Sequence, residues 1–429
     1  MLRAGAVDLA RRNAGALWLL VATTVANVLA YGYQVVMARL LRPQDYAGLT
    51  AFFALLILEQ LGGQVVQSAT ARLVAQHVAH GDEPALHSFV RRWSRRIVIA
   101  AGIPAAIVVL AAPFVHVRDF SPVAIATLGA TLFLAVALTF TLGLLQGLAR
   151  FGWFGTVFIS IALVRLVAGV GLVLLFTGTA IPLRAVHGAY LGAAIALLVG
   201  ALATLIPLAP LFQKARRSAH EIDLSRAETR FFVLASVIFL AYAALTFVDG
   251  LAAPIRIPAE SGAYAGAITM AKVILFAPIA VGFILLERVS NADALGRDPD
   301  RYLFAALGFV LVTSGAVTAA YLVAPAFFTA IVVGSQYPET VALIGPYALA
   351  GLSNALLSIW VAYFVGRGRM AIGAVLAVAV LVELVLLFAV VADAATMVRV
   401  VLGVSVAAQA AAVSFYLAGR LPRTIAPAP

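Results

Sequence analysis

Five ionisable side chains lie inside long apolar stretches of this chain: Glu59, Arg165, Asp249, Lys272 and Glu383. A charge near the middle of a bilayer costs about 2.5–3.5 kcal/mol even on the mildest insertion scales, so each needs a use or a partner. Arg165 carries a fixed charge on a planar fork of donors, a shape suited to phosphate. It reads either as a contact for a substrate phosphate or as half of a structural ion pair with Glu383. Lys272 offers a second cation of the same use. Three acids face two cations, which leaves one carboxylate over. Asp249 and Glu59 lead as the group that binds and releases H+ or takes Na+, and Glu383 is the third candidate. The alternative is a neutral carboxylic acid bonded to a glutamine.

Polar residues recur beside these charges at helical spacing. Asn27, Tyr31 and Gln34 follow i, i+4, i+7, as do Gln60, Gln64 and Gln67, and then Tyr242, Thr246 and Asp249. Each set shares one face of a helix. Unsatisfied polar groups facing lipid cost several kcal/mol. The stripes therefore either line a wetted cavity, where Asn27, Tyr31, Gln34, Gln60, Gln64 and Gln67 would contact substrate, or they bond helix to helix. Both readings stay open at this stage.

The elements that must hold these residues are membrane spans. The chain is 64% hydrophobic and 11% charged, far from a soluble composition. Runs long enough to cross a hydrocarbon core fall at 14–38, 46–70, 97–117, 122–146, 152–177, 185–210, 231–255, 262–286, 303–333, 340–365, 370–392 and 396–418. The expected fold is thus all-α, with twelve transmembrane helices and room in the 303–333 run for an interfacial piece. Nothing alternates as barrel strands would, and the first run lacks the form of a cleaved signal. There is no cysteine, so disulfides and thiolate metal sites are out.

A net charge of +11 is compatible in sign with nucleic acid, but its distribution argues for topology. With both termini cytoplasmic, the outer segments hold only Arg39, Arg42, Arg118, Arg184, Arg256 and Arg399. Most other basic residues fall in inner segments, as the positive-inside rule requires. One inner connection, "RLVAQHVAHGDEPALHSFVRRWSRR", breaks at Gly81 and restarts at Asp82 as an N-cap. Its Arg91, Arg92, Arg95 and Arg96 form a stripe suited to anionic headgroups. A second, "QKARRSAHEIDLSRAETR", follows six spans and divides the chain into bundles at 1–212 and 213–429. "LPRTIAPAP" reads as a disordered tail.

A shift of 218 residues lays Tyr46 on Tyr264, Gly48 on Gly266, Gly155 on Gly373 and Arg165 on Glu383. Two six-span halves entering the membrane in the same direction are related by an axis along its normal, with a binding site expected at mid-depth between them. Enzymatic motifs fail. There is no GxxxxGK[ST], "GRGRMAIG" at 366–373 joins two spans, His77, His80 and His87 sit in a loop, and no nucleophile, base and orienter come together. No cofactor, metal or catalysis is expected.

The stretch "YQVVMARLLRPQDYAGLTAFFALLILEQLGGQVVQSATARLVA" at 33–75 resembles the opening of bacterial polysaccharide or O-antigen (Wzx-like) flippases, of the multidrug/oligosaccharidyl-lipid/polysaccharide (MOP) exporter superfamily. "LLQGLARFGWFG" at 144–155 resembles that family's turn between spans 4 and 5, and Asp249 followed by "GAYAGAITMAK" its span 7–8 region. The resemblance implies two pseudo-symmetric six-helix bundles opening alternately to each side of the bacterial cytoplasmic membrane. It implies a polyprenyl-pyrophosphate-linked oligosaccharide as cargo, with Arg165 and Lys272 opposite the pyrophosphate and the polar stripes around the sugars. Membrane lipids, H+ or Na+, and a glycan polymerase or glycosyltransferase are the implied partners. Against a peptidoglycan-precursor flippase, the chain has twelve spans and no mid-membrane arginine in the first two. A MATE-like ion-coupled drug exporter shares the fold but should favour acidic, aromatic-lined sites. A membrane polymerase or ligase should have a long outer loop, and none is present.

Overall fold

The computed structural model describes residues 2–114, 121–178, 184–217, 226–295 and 297–418. The 218–225 part of the connection between halves, Arg118 and the 421–429 tail lie outside the described residues. A mean hydropathy of +1.06 makes an uninterrupted hydrogen-bonded helix the economical form for this backbone in lipid. Every element among the described residues is a helix: α1 (Leu2–Leu40), α2 (Pro43–Ala79), α3 (Glu83–Ala111), α4 (Pro122–Gly147), α5 (Phe151–Gly178), α6 (Ala185–Arg217), α7 (Arg226–Arg256), α8 (Ser261–Ala294), α9 (Asp300–Val323), α10 (Pro325–Val332), α11 (Thr340–Gly366), α12 (Ile372–Ala389) and α13 (Ala394–Ala418). Eleven are long and apolar enough to cross a membrane, and α8 carries a further apolar stretch at Ser261–Phe276. The 303–333 run divides into α9 and the short α10, where Pro325 cannot continue the hydrogen-bonded ladder.

Helix ends follow local chemistry. Gly81 takes φ 67° and the Asp82 N–H donates back to the His77 carbonyl, closing α2. The Asp82 carboxylate then accepts from the Ala85 N–H at 3.0 Å and caps α3 as expected.

Residues 1–236 and 237–429 form two compact units. In the first, α5 packs on α1 and α6, while α4 packs on α2, α3 and α6. Its apolar core includes Val74, Phe89, Leu144, Leu145, Phe154 and Leu208. The α5–α6 crossing is backbone against backbone: a Cβ on Gly192 would lie 2.4 Å from the Gly169 Cα. In the second unit, α11 packs on α8, α9 and α13, and α12 on α13.

The 218-residue offset has a structural counterpart in each unit. Helices α2 and α8 begin at 43 and 261, and α4 and α11 at 122 and 340. Tyr46 and Tyr264 are both fully buried. Gly155 lies where α5 crosses α1, a Cβ there meeting Trp18 at 2.6 Å and Ala22 at 2.8 Å. Gly373 lies where α12 crosses α7, a Cβ there meeting Ile238 at 2.9 Å. The glycines matched by the repeat each lie at a close approach to a neighbouring helix.

Candidate functional site

The first unit is centred on Arg165, midway along α5. Its guanidinium carbon stands 5.8 Å from the Tyr33 ring centre and 5.6 Å from that of Phe53, within cation–π range of both. Tyr33 comes from α1 and Phe53 from α2, and the two rings meet edge to face at 5.8 Å. The Tyr33 hydroxyl donates to the Ala189 carbonyl of α6 at 3.2 Å, which fixes the platform. Phe52, next to Phe53, stacks on Tyr190 at 4.8 Å. The Arg165 Nε is buried with no hydrogen-bond acceptor among the described residues. Among the described residues of its own unit, no carboxylate pairs with it.

The expected contact stripes of this unit divide by environment. Asn27 and Gln60 are exposed, whereas Tyr31, Gln34, Gln64 and Gln67 are half-buried. Gln67 donates to the Gln146 side chain of α4 at 3.1 Å, the helix-to-helix use of such a residue. Glu59 is half-buried on α2, and its carboxylate and the Thr139 side chain of α4 both lie against Gly63, where a Cβ would meet each at 3.1 Å.

The second unit is centred on carboxylates. Asp249 of α7 is 1% exposed. One oxygen accepts from the Gly250 N–H at 2.8 Å, and the other from the hydroxyls of Tyr264 (α8) at 2.7 Å and Tyr347 (α11) at 2.6 Å. The two tyrosine rings meet edge to face at 5.4 Å. Glu383 of α12 is equally buried. Neither Glu383 oxygen has a hydrogen-bond donor among the described residues. The Tyr242, Thr246 and Asp249 stripe is buried throughout. Thr246 bonds back to the Tyr242 carbonyl and Tyr242 donates across to the Asn354 carbonyl at 3.1 Å. Lys272, 8% exposed, lines a small cavity with Thr246, Tyr347 and Asn354.

One carboxylate centre escaped the sequence reading. Asp300, at the start of α9, is buried and accepts from the hydroxyls of Tyr363 (α11) and Tyr416 (α13). Arg367 donates to the Tyr363 hydroxyl at 3.0 Å. Only the tyrosine content of α11 and α13 hinted at it. No cluster of three or more metal-ligating side chains occurs among the described residues.

The fold is similar to that of an inward-facing multidrug resistance MATE family transporter of the MOP superfamily, with a TM-score of 0.71 at 12% identity over 94% of this chain and 96% of that one. An outward-facing transporter of the same description gives 0.62 at 14% identity over 95% of each chain. The eukaryotic MATE transporter AtDTX14 gives 0.64 at 14% identity over 95% of this chain and 96% of that one. No protein-family model matches the sequence, and no curated protein matches it. The fold class is therefore that of the MATE transporters: an all-α, multi-pass membrane protein.

Proposed function

We propose that this chain is a transporter of the MOP superfamily that carries a polyprenyl-pyrophosphate-linked oligosaccharide from the cytoplasmic to the outer leaflet of a bacterial cytoplasmic membrane. The observation that carries this reading is Arg165. A guanidinium charged at every working pH rests mid-helix on two aromatic faces, with no carboxylate among the described residues of its unit to neutralise it. A bidentate, doubly charged pyrophosphate supplies the missing anion, and the polyprenyl chain stays in lipid. Alternating access fits a fold whose solved relatives include inward- and outward-facing forms. On this reading both termini are cytoplasmic, the movement is coupled to an ion, and a glycan polymerase or glycosyltransferase works alongside.

A second reading, a cation-coupled drug exporter, has its own support. The structural neighbours include multidrug transporters, and the buried Asp249, held by the Tyr264 and Tyr347 hydroxyls, suits a cation. Mass spectrometry of lipid-linked glycans in a deletion strain separates the two. Accumulation of one polyprenyl-pyrophosphate glycan, rescued by the native chain and not by Arg165→Ala at equal membrane level, is the expected result. No accumulation while the surface polymer is still made would favour the exporter.

A further inference from the structure

We infer that His187 is a proton-sensitive cap for α6, fastening the turns of α6 on which the aromatic platform under Arg165 rests. His187 is buried, 6% exposed, in the first turn of that helix. Its Nδ1 accepts from the Arg184 N–H at 3.0 Å, the role that a glutamate or glutamine plays at the same position of a capping box. A ring nitrogen that accepts carries no hydrogen, so the neutral imidazole holds its proton on Nε2. Nε2 therefore donates to the Ser121 Oγ, 2.7 Å away, and the same Oγ accepts from the Ala124 N–H to cap α4. One neutral imidazole thus joins the starts of two helices. This serine–histidine contact is not a nucleophile with its base, because the nitrogen facing the hydroxyl has no lone pair free to take its proton.

A second proton undoes this arrangement. It can enter only on Nδ1, where it meets the Arg184 N–H as donor against donor. It also places a positive charge at a helix N-terminus, which disfavours one. The groups around the ring offer little relief. Arg184 is itself cationic, and Asp45 of α2 is already paired with that guanidinium at 4.0 Å. The start of α2 adds only the exposed Arg42 and the buried phenol of Tyr46, and on α6 the Tyr190 ring lies 6.4 Å from the imidazole. The last turns of α3 and α5 and the first turn of α4 carry no titratable side chain. Imidazoles take up their proton between about pH 8 and pH 5, so acid releases the cap. The release reaches Arg165 because the same stretch of α6 holds its platform. The Ala189 carbonyl anchors Tyr33, and Tyr190 stacks on Phe52. Regulation of that site rests on the function proposed above, whereas the cap does not.

Hydrogen exchange of the purified full chain in detergent tests the cap without any cargo, so its outcome is separate from that of the glycan experiment. Protection over 184–190, corrected for the intrinsic pH dependence of exchange, should fall about tenfold from about pH 8 to pH 5 in the native protein, the loss of one cap with an adverse charge added. His187→Gln should stay protected across that range, since an amide oxygen accepts from the same N–H and does not titrate. His187→Phe should be poorly protected throughout. The start of α13, capped by the Asp393 carboxylate, should hold its protection in every sample. A native fall that His187→Gln reproduces would overturn the inference, as would native protection that does not fall or a His187→Phe variant as protected as the native chain. If neither variant folds, the native contrast between 184–190 and the start of α13 decides alone.

Discussion

The two units contain equivalent helix crossings and opposite chemistry. At the centre of the first, a cation leans on aromatic faces, Arg165 on Tyr33 and Phe53. At the centre of the second, an anion is gripped by aromatic hydroxyls, Asp249 by Tyr264 and Tyr347. The 218-residue offset that aligns the crossing glycines also lays Arg165 on Glu383, a reversal of sign. Packing positions and charged positions therefore answer to different demands. The glycines are dictated by how closely two backbones approach, and the charges by what each unit must hold. The two centres should also differ in how firmly they are built. Asp249 receives three hydrogen bonds, whereas the faces under Arg165 give a weaker and less directional hold.

The largest effect should come from breaking the firmer centre. Asp249→Ala leaves the buried hydroxyls of Tyr264 and Tyr347 without their acceptor, a loss of about 3 kcal/mol or more. The thermal midpoint in detergent should fall steeply. Arg165→Met removes a half-buried cation that no carboxylate among the described residues of its unit balances, so stability should stay within about 1 kcal/mol of native while, on the proposed function, glycan flipping is lost. Equal destabilisation by the two changes would dissolve the contrast.

Next in size is a paired test of the crossings. Gly155→Ala drives a methyl against the Trp18 ring and Ala22, which should cost about 1–3 kcal/mol. Gly373→Ala meets a rotatable Ile238 methylene, and helix propensity returns about 1 kcal/mol, so it should be near neutral in the same melting assay. The smallest effect concerns two matching turns. Helix α4 ends with Ala149 at φ 55° and α11 with Gly368 at φ 67°, each closed by an N–H returning to a carbonyl five residues back. A Cβ in that left-handed region costs about 1–2 kcal/mol. Ala149→Gly should raise the midpoint by a degree or two and Gly368→Ala should lower it by a similar amount.

What the sequence made legible was whatever is encoded by neighbours along the chain. The long apolar runs, the Gly81–Asp82 break with its cap, and the glycine and tyrosine matches at one offset all depend on local spacing. The identities of the mid-membrane charges were equally plain, because a charge in an apolar run cannot be missed. What each charge touches was not legible. Tyr347 lies 98 residues from Asp249, and Tyr33 and Phe53 reach Arg165 from two earlier helices. Asp300 carried no local signal at all, since its burial is made by Tyr363, 63 residues away, and by Tyr416, 116 residues away. The glutamine stripe on α2 was ambiguous for the same reason: Gln67 becomes helix glue only through Gln146 on α4.

The separation of Asp249 from its partners also bears on how the chain is made. Synthesis runs from the N-terminus, so when Arg165 enters the bilayer, Tyr33 and Phe53 are already there to receive it. Asp249 enters ahead of both its tyrosines and waits for 98 further residues before Tyr347 exists. At about 5–20 residues per second, that is roughly 5–20 s of exposure. During that interval the nascent second unit holds an unclamped acid in or beside the insertion channel. A chaperone or a slow release from that channel would matter for the second unit and hardly at all for the first.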